Sequence, residues 1–143
     1  MPTPEENMQF VRSFAEEVFG SKNLKYAADW LADDFVEHQV FPGTTPDKKG
    51  AIDSYRIFFA ASPDMMAEIH DMVAAGDKVA IRATYRGTDE GGFIPNMPAT
   101  GMPFEMEAIY VVRINHQGQI VEHWSVVGTI GTMGQLGLLP HPE

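Results

Sequence analysis

The chain has 143 residues, 20 of them acidic and 10 basic, giving a formal charge of -10, and it contains no cysteine. That length builds one domain with a real core and is too short for two comfortable ones, so residues 1–143 read as a single unit. The acidic balance repels phosphate backbones and anionic headgroups, which argues against nucleic acid and membrane as partners, and without cysteine there is no disulfide framework, thiol nucleophile or Cys-ligated zinc. The opening Met1-Pro2-Thr3-Pro4-Glu5-Glu6 lacks the basic and apolar regions of a signal peptide, and no apolar run approaches membrane-spanning length, so a cytoplasmic location is expected.

Thr3-Pro4-Glu5-Glu6 is a complete helix start: Thr3 caps, Pro4 suits the first helical position and Glu6 closes a capping box. Phe10, Val11, Phe14, Ala15, Val18 and Phe19 then recur at helical spacing until Gly20. A second, shorter helix is expected over about Leu24 to Ala32. Phe35 to Gln39 reads as a short strand, and Phe41-Pro42-Gly43-Thr44 as a turn. Thr45-Pro46 can cap and open a third helix with the stripe Ile52, Tyr55, Arg56 and Phe59, closed by Pro63.

Beyond Pro63 the period changes to two. Ala67 to Ala75 and Lys78 to Arg86 form a hairpin about Gly76-Asp77, with Val79, Ile81, Ala83 and Tyr85 on the apolar face. Gly87 to Pro103, rich in glycine and proline, is a long loop of the kind that serves as a lid. Phe104 to Ile114 is the next strand, turned at Asn115-His116-Gln117-Gly118 into Gln119 to Val127. Helices first and antiparallel hairpins second make an α+β domain, with helices on one side of a curved sheet.

Several short pieces lie along this frame: Phe35-Val36-Glu37-His38, Tyr55 to Asp64, Gly76 to Arg82, Arg86-Gly87-Thr88, Pro98-Ala99-Thr100-Gly101, and a last strand with Glu122-His123-Trp124. In order and spacing they resemble the SnoaL-like polyketide cyclases of the nuclear transport factor 2-like superfamily. The resemblance implies a cone-shaped fold, its N-terminal helices packed on a strongly bent, mainly antiparallel sheet around an apolar pocket. It also implies frequent homodimers and enzymes that need neither metal nor organic cofactor. Cyclases of this family close a ring by intramolecular aldol chemistry, in which an aspartate removes a proton alpha to a carbonyl and later returns it. Gly128 stands where that aspartate is usual, four residues after Trp124, and Tyr110 stands where many relatives carry an aspartate.

With the usual acid absent, other side chains are candidates. Glu122 shares strand parity with Ile120, Trp124 and Val126. If that face lines the pocket, desolvation would raise the Glu122 pKa toward that of a useful base; if the strand curves to the rim, Glu122 would instead pair with an arginine such as Arg113. His38 matches a histidine common in the family's first strand, and can polarise a carbonyl, act as a base, or simply bond to backbone. Tyr110 has the parity to face inward with Met106, Ala108 and Val112, as an oxyanion donor or as core. Trp124, Phe35, Tyr55, Phe59, Ala83, Met106, Val126 and Gly128 are the expected pocket wall. His123 lies on the parity opposite Glu122 and is expected outside, and Asp71, adjacent to His70, is a reserve acid. The five histidines show no ligand spacing, so no metal is expected, and no strand–turn–helix elbow supports a serine nucleophile. The reading that follows is a cofactor-independent cyclase or isomerase acting on a small, apolar, polyketide-like carbonyl compound. Its rivals are a non-catalytic binding protein of the same fold and, third, an epoxide hydrolase or dehydratase-like relative.

Overall fold

A computed structural model describes residues 2–92 and 94–139. Helix α1, Pro4–Ala15, begins at the expected capping box: Thr3 accepts from the Glu6 amide and Glu6 reaches back to the Thr3 amide at 2.8 Å. It runs directly into a π turn, Glu16–Gly20, which adds a residue to the coil and drives Val18 and Phe19 into the core. Asn23 caps α2, Leu24–Trp30. Strand β1, Leu31–Glu37, starts four residues earlier than its sequence pattern indicates. Helix α3, Lys48–Ala61, is capped by Asp47, which accepts from the Gly50 amide at 2.9 Å, and the Thr45 hydroxyl bonds the capping carboxylate at 2.6 Å. The expected Thr45 cap is therefore displaced by two residues, because a carboxylate is available where the first free amides point.

Strands β2, Met66–Ala75, β3, Lys78–Thr88, β4, Pro103–Ile114, and β5, Ile120–Val127, complete a five-stranded sheet in the order β1-β5-β4-β3-β2. All neighbours are antiparallel except β1 and β5, which run parallel. Gly76, at φ +59, supplies the left-handed residue that the tight β2–β3 turn requires. A short helix α4, Thr129–Gln135, follows β5. It is held by Thr132, whose hydroxyl donates to the Gly128 carbonyl, and by paired amide bonds between Gln135 and the backbone of Glu105 at 2.6 and 3.0 Å.

One face of the sheet carries Val79, Ile81 and Ala83 from β3 and Ala108 and Val112 from β4, each 3% exposed or less. Val11, Phe14, Val18 and Phe19 of α1 and the π turn close over that face and form one continuous core with it. The opposite face is open and mostly charged, with Arg82 against Asp71 and Arg86 against Glu68 and Glu105. The β3–β4 connection is stapled at its stem. Buried Asp89 accepts from the amides of Gly92 and Thr100 and from the Thr100 hydroxyl, and the Glu90 and Gly91 amides both donate to Ala61. Among the described residues no helix is long and apolar enough to cross a membrane.

Candidate functional site

The last strand decides which side chains meet. In an antiparallel pair, residues opposite each other share a face, and β4 and β5 pair Arg113 with Glu122, Val112 with His123, Val111 with Trp124 and Tyr110 with Ser125. Val112 and Tyr110 belong to the helix-covered side, so His123 and Ser125 face inward while Glu122, Trp124 and Val126 face out. The reversal has a local cause. The pairing shifts between Arg113 and Ile114, so that Ile114 meets Ile120, and Ile120 and Val121 are both buried at 3% and 5% exposure. A bulge that buries two successive residues resets the alternation for the rest of the strand. Parity counted from Ile120 therefore assigns every later side chain to the wrong face.

On the helix-covered side the result is a dyad. The parallel pairing of β1 with β5 sets Glu37 beside His123, and both Glu37 carboxylate oxygens lie within reach of His123 Nδ1, at 2.7 and 2.9 Å. The side chains are 16% and 27% exposed, respectively, so the pair is half-buried rather than sealed in the core. A carboxylate on Nδ1 fixes the ring so that Nδ1 donates and Nε2 is the basic nitrogen. The Tyr110 ring lies 5.5 Å from the imidazole, centre to centre. Burial pushes the Tyr110 phenol up to about 12, an effect the neighbouring Tyr85 hydroxyl partly offsets. Burial raises the Tyr55 and Tyr85 hydroxyls further, with the nearby Glu37 charge adding to the effect at Tyr55. Three phenols thus stay protonated around one carboxylate–imidazole pair. Below them Phe19 packs edge-on against Tyr55 and Phe59, and Tyr55 stacks over Phe59.

The open face carries a different group. Glu122 accepts from Arg113 Nε at 2.5 Å and meets His38 Nε2 at 2.8 Å, and His38 stacks flat on Trp124 at 4.7 Å. The bonds from His38 and Arg113 hold the Glu122 carboxyl below the usual range, opposite to the rise expected of a desolvated base. A shallow groove of about 300 Å³ runs beside this cluster, over Ile109, Val111, Trp124 and Val126.

A model of the family described as SnoaL-like polyketide cyclase matches residues 9–136. The chain belongs to that family. Among solved structures, this SnoaL-like protein is 32% identical to wild-type IdmH, a candidate polyketide cyclase from Streptomyces antibioticus, over 92% of this chain and 98% of that one, with a TM-score of 0.76. TsrD from Streptomyces laurentii shares the fold at 22% identity, 93% and 96% coverage and a TM-score of 0.83. So does AclR, a candidate hydroxylase from Streptomyces galilaeus, at 20% identity, 97% and 89% coverage and a TM-score of 0.81. No curated protein matches.

Of the residues singled out in this SnoaL-like sequence, Phe35, Tyr55, Phe59, Ala83, Met106 and Tyr110 do gather on the helix-covered side. Glu122, His38, Trp124 and Val126 gather on the other. Val126 is 77% exposed, so it walls no interior pocket. Gly128 leaves the sheet at the start of α4, and a side chain there would stand beside Glu107, with Cβ 3.5 Å from its carbonyl oxygen and 4.0 Å from its Cβ. It too is not a wall of the inner site. Asp71 turns outward to Arg82, because a bulge between Ile69 and Asp71 leaves His70 out of register, where it bonds Thr84 at 2.7 Å. Glu37 and His123 are the pair that sequence parity missed. The signal that could have found them is the adjacency of Ile120 and Val121, two apolar residues in succession at a strand start.

Proposed function

We propose that this protein is a cofactor-independent cyclase or isomerase that moves a proton alpha to the carbonyl of a small, apolar, polyketide-like compound, using the Glu37–His123 dyad. The family supports the class of reaction. The observation that carries the mechanism is the inward-facing imidazole held at Nδ1 by a carboxylate 2.7 Å away. In this reading His123 Nε2 takes the proton from the alpha carbon and the carbon–hydrogen electron pair becomes the enolate. Glu37 stabilises the imidazolium so formed. Tyr110, its ring 5.5 Å from the imidazole, donates to the developing enolate oxygen. The enolate carbon attacks a second carbonyl, and His123 returns its proton to the resulting alkoxide, so the ring closes with no net loss or gain of atoms.

The test is deuterium uptake at the alpha carbon in heavy water, followed by NMR on 1,3-dicarbonyl and aromatic keto-ester compounds. Wild type should exchange, and His123→Gln should exchange about 100- to 10,000-fold more slowly. Binding without exchange in the wild type would instead indicate a carrier or sensor.

The same reading includes a homodimer and a cytoplasmic location. Ile109 and Val126, 58% and 77% exposed beside the open-face groove, are the apolar surface a second copy would cover. Light scattering of wild type and Val126→Glu measures that directly.

A further inference from the structure

We infer that Phe19, carried in by the π turn, is the end wall of the inner site and sets the length of ligand it takes: carbonyl compounds of one or two fused rings are accepted, and a third ring in line is refused. The inference rests on the proposal that ligands bind at the Glu37–His123 dyad, and it narrows the class of compound by size.

The inner site lies between two layers. On the sheet side His123 of β5, Tyr110 of β4 and Tyr85 of β3 follow one another. The His123 and Tyr110 rings are 5.5 Å apart, and the Tyr85 hydroxyl neighbours that of Tyr110. On the helix side α3 presents Tyr55 and Phe59, whose rings stack at 6.3 Å. Tyr55, Phe59, Tyr85 and Tyr110 all pack inward against the core yet stay only partly buried. Side chains that point into a fold and still meet solvent line a cleft, so the two layers do not close on each other there.

Phe19 differs from them. It is 9% exposed, and its ring touches both layers, 5.8 Å from Tyr55, 5.6 Å from Phe59 and 5.1 Å from Tyr85. A ring wedged between the walls ends the cleft over β3, while the dyad marks its other end at β5. Two strand spacings separate those ends, about 10 Å, the length of a fused bicyclic skeleton.

The wedge is also fixed in place. Phe19 belongs to the π turn Glu16–Gly20, a kind of insertion frequent at functional sites. Beyond it Lys22 takes a left-handed backbone, φ +56, that residues other than glycine seldom adopt. From there its ammonium donates to the Phe19 carbonyl at 2.6 Å and to the Met65 carbonyl, and stands 5.1 Å over the Phe59 ring. Withdrawing Phe19 would break that charge-assisted bond. A ligand too long for the cleft must therefore displace a tethered ring or leave part of itself in water.

Equilibrium dialysis with methyl 2-acetylbenzoate, methyl 3-acetyl-2-naphthoate and methyl 3-acetylanthracene-2-carboxylate tests this, since each adds one fused ring remote from the acetyl and ester groups. Wild type should bind the naphthalene compound about 3- to 10-fold more tightly than the benzene one, because more apolar surface is buried. It should bind the anthracene compound about 10- to 100-fold more weakly than the naphthalene one, the size of an overpacked contact. In Phe19→Ala the anthracene compound should bind at least as tightly as the naphthalene one. Phe19→Leu, which shortens the side chain and keeps the core apolar, should narrow the gap at least about threefold. An anthracene compound that binds wild type as tightly as the naphthalene one overturns the inference without touching the proton-transfer reading, which deuterium uptake at the acetyl carbon tests separately. A gap that both Phe19 variants leave undiminished overturns the role given to Phe19. A Phe19-dependent limit without deuterium uptake upholds the inference and sinks the catalysis. If none of the three compounds binds wild type or either variant up to its solubility, the inference and the dyad as a binding site fall together.

Discussion

Gly50 sits in the first turn of α3, where the incoming loop crosses the helix at contact distance. A Cβ added there would lie 1.7 Å from the Thr45 carbonyl oxygen and 2.6 and 2.7 Å from its carbonyl carbon and amide nitrogen. All three are backbone atoms, so the obstruction cannot rotate away. In an isolated helix Gly→Ala gains about 1 kcal/mol. Here Thr45 would have to retreat by roughly 1.5 Å to reach ordinary packing distance, an overpacking that costs about 1–3 kcal/mol. The adjacent Pro46 carbonyl accepts the Glu37 amide at 3.1 Å, and losing that bond adds about 1 kcal/mol. Gly50→Ala is therefore expected to be destabilised by about 1–3 kcal/mol in urea unfolding, after the helix gain is subtracted. Because Pro46 fixes the backbone of Glu37, the His123 ring resonances should shift in the same variant. A variant as stable as wild type, or more so, would refute the close crossing and with it this support for the dyad.

Three further outcomes follow from the same contacts. Tyr85→Phe and Tyr110→Phe remove neighbouring buried hydroxyls, and the double variant should cost less than the sum of the singles; additive losses would mean that the two hydroxyls do not interact. All four tyrosines are raised above their usual 10, with Tyr110 at about 12. A raised folded pKa contributes stability that is full below the unfolded value and fades as pH climbs from 10 toward the folded one. Tyr55, Tyr85 and Tyr110 should accordingly add nothing to the absorbance near 295 nm through pH 10, and more than one tyrosinate forming at pH 10 in the folded protein would contradict their burial. Glu122 behaves with the opposite sign. Its folded pKa lies below the ordinary 4.5, so its contribution is present above that pH and drains as pH falls through the folded value. Glu122→Gln should remove that part of the acid slope while leaving proton exchange within about threefold of wild type, short of the loss that deleting a general base brings. A collapse of exchange would return the chemistry to the open face.

The elements were legible because their signals are local. The Thr3–Glu6 capping box, the α1 stripe and the Gly76 turn each depend on residues a few positions apart, and each is where the sequence put it. The α3 start lies two residues beyond the sequence expectation because Thr45 and Asp47 are both competent caps, and only the loop path chooses between them. Helix α4 carries no apolar stripe in Thr-Ile-Gly-Thr-Met-Gly-Gln, and it holds through tertiary bonds from Gln135 to Glu105 that no window of sequence contains. Of the expected pocket wall, Phe35, Tyr55, Phe59, Ala83 and Met106 lie on the helix-covered side, the last two because β3 and β4 alternate without interruption. Trp124 and Val126 are inverted by one irregular pairing at Ile120, which puts Glu122 on the open face and His123 on the helix-covered one. A period-two argument has no memory of where a strand slips, and the site depends on that slip.

The most direct test is to watch the imidazole resonances of His123 and His38 by NMR while a neutral ligand such as methyl 2-acetylbenzoate is added. His123 is expected to shift on binding, with His38 and the indole of Trp124 unchanged, because the ligand enters on the helix-covered side. Movement of His38 and Trp124 with a silent His123 would put the ligand on the open face and contradict the dyad as the working site.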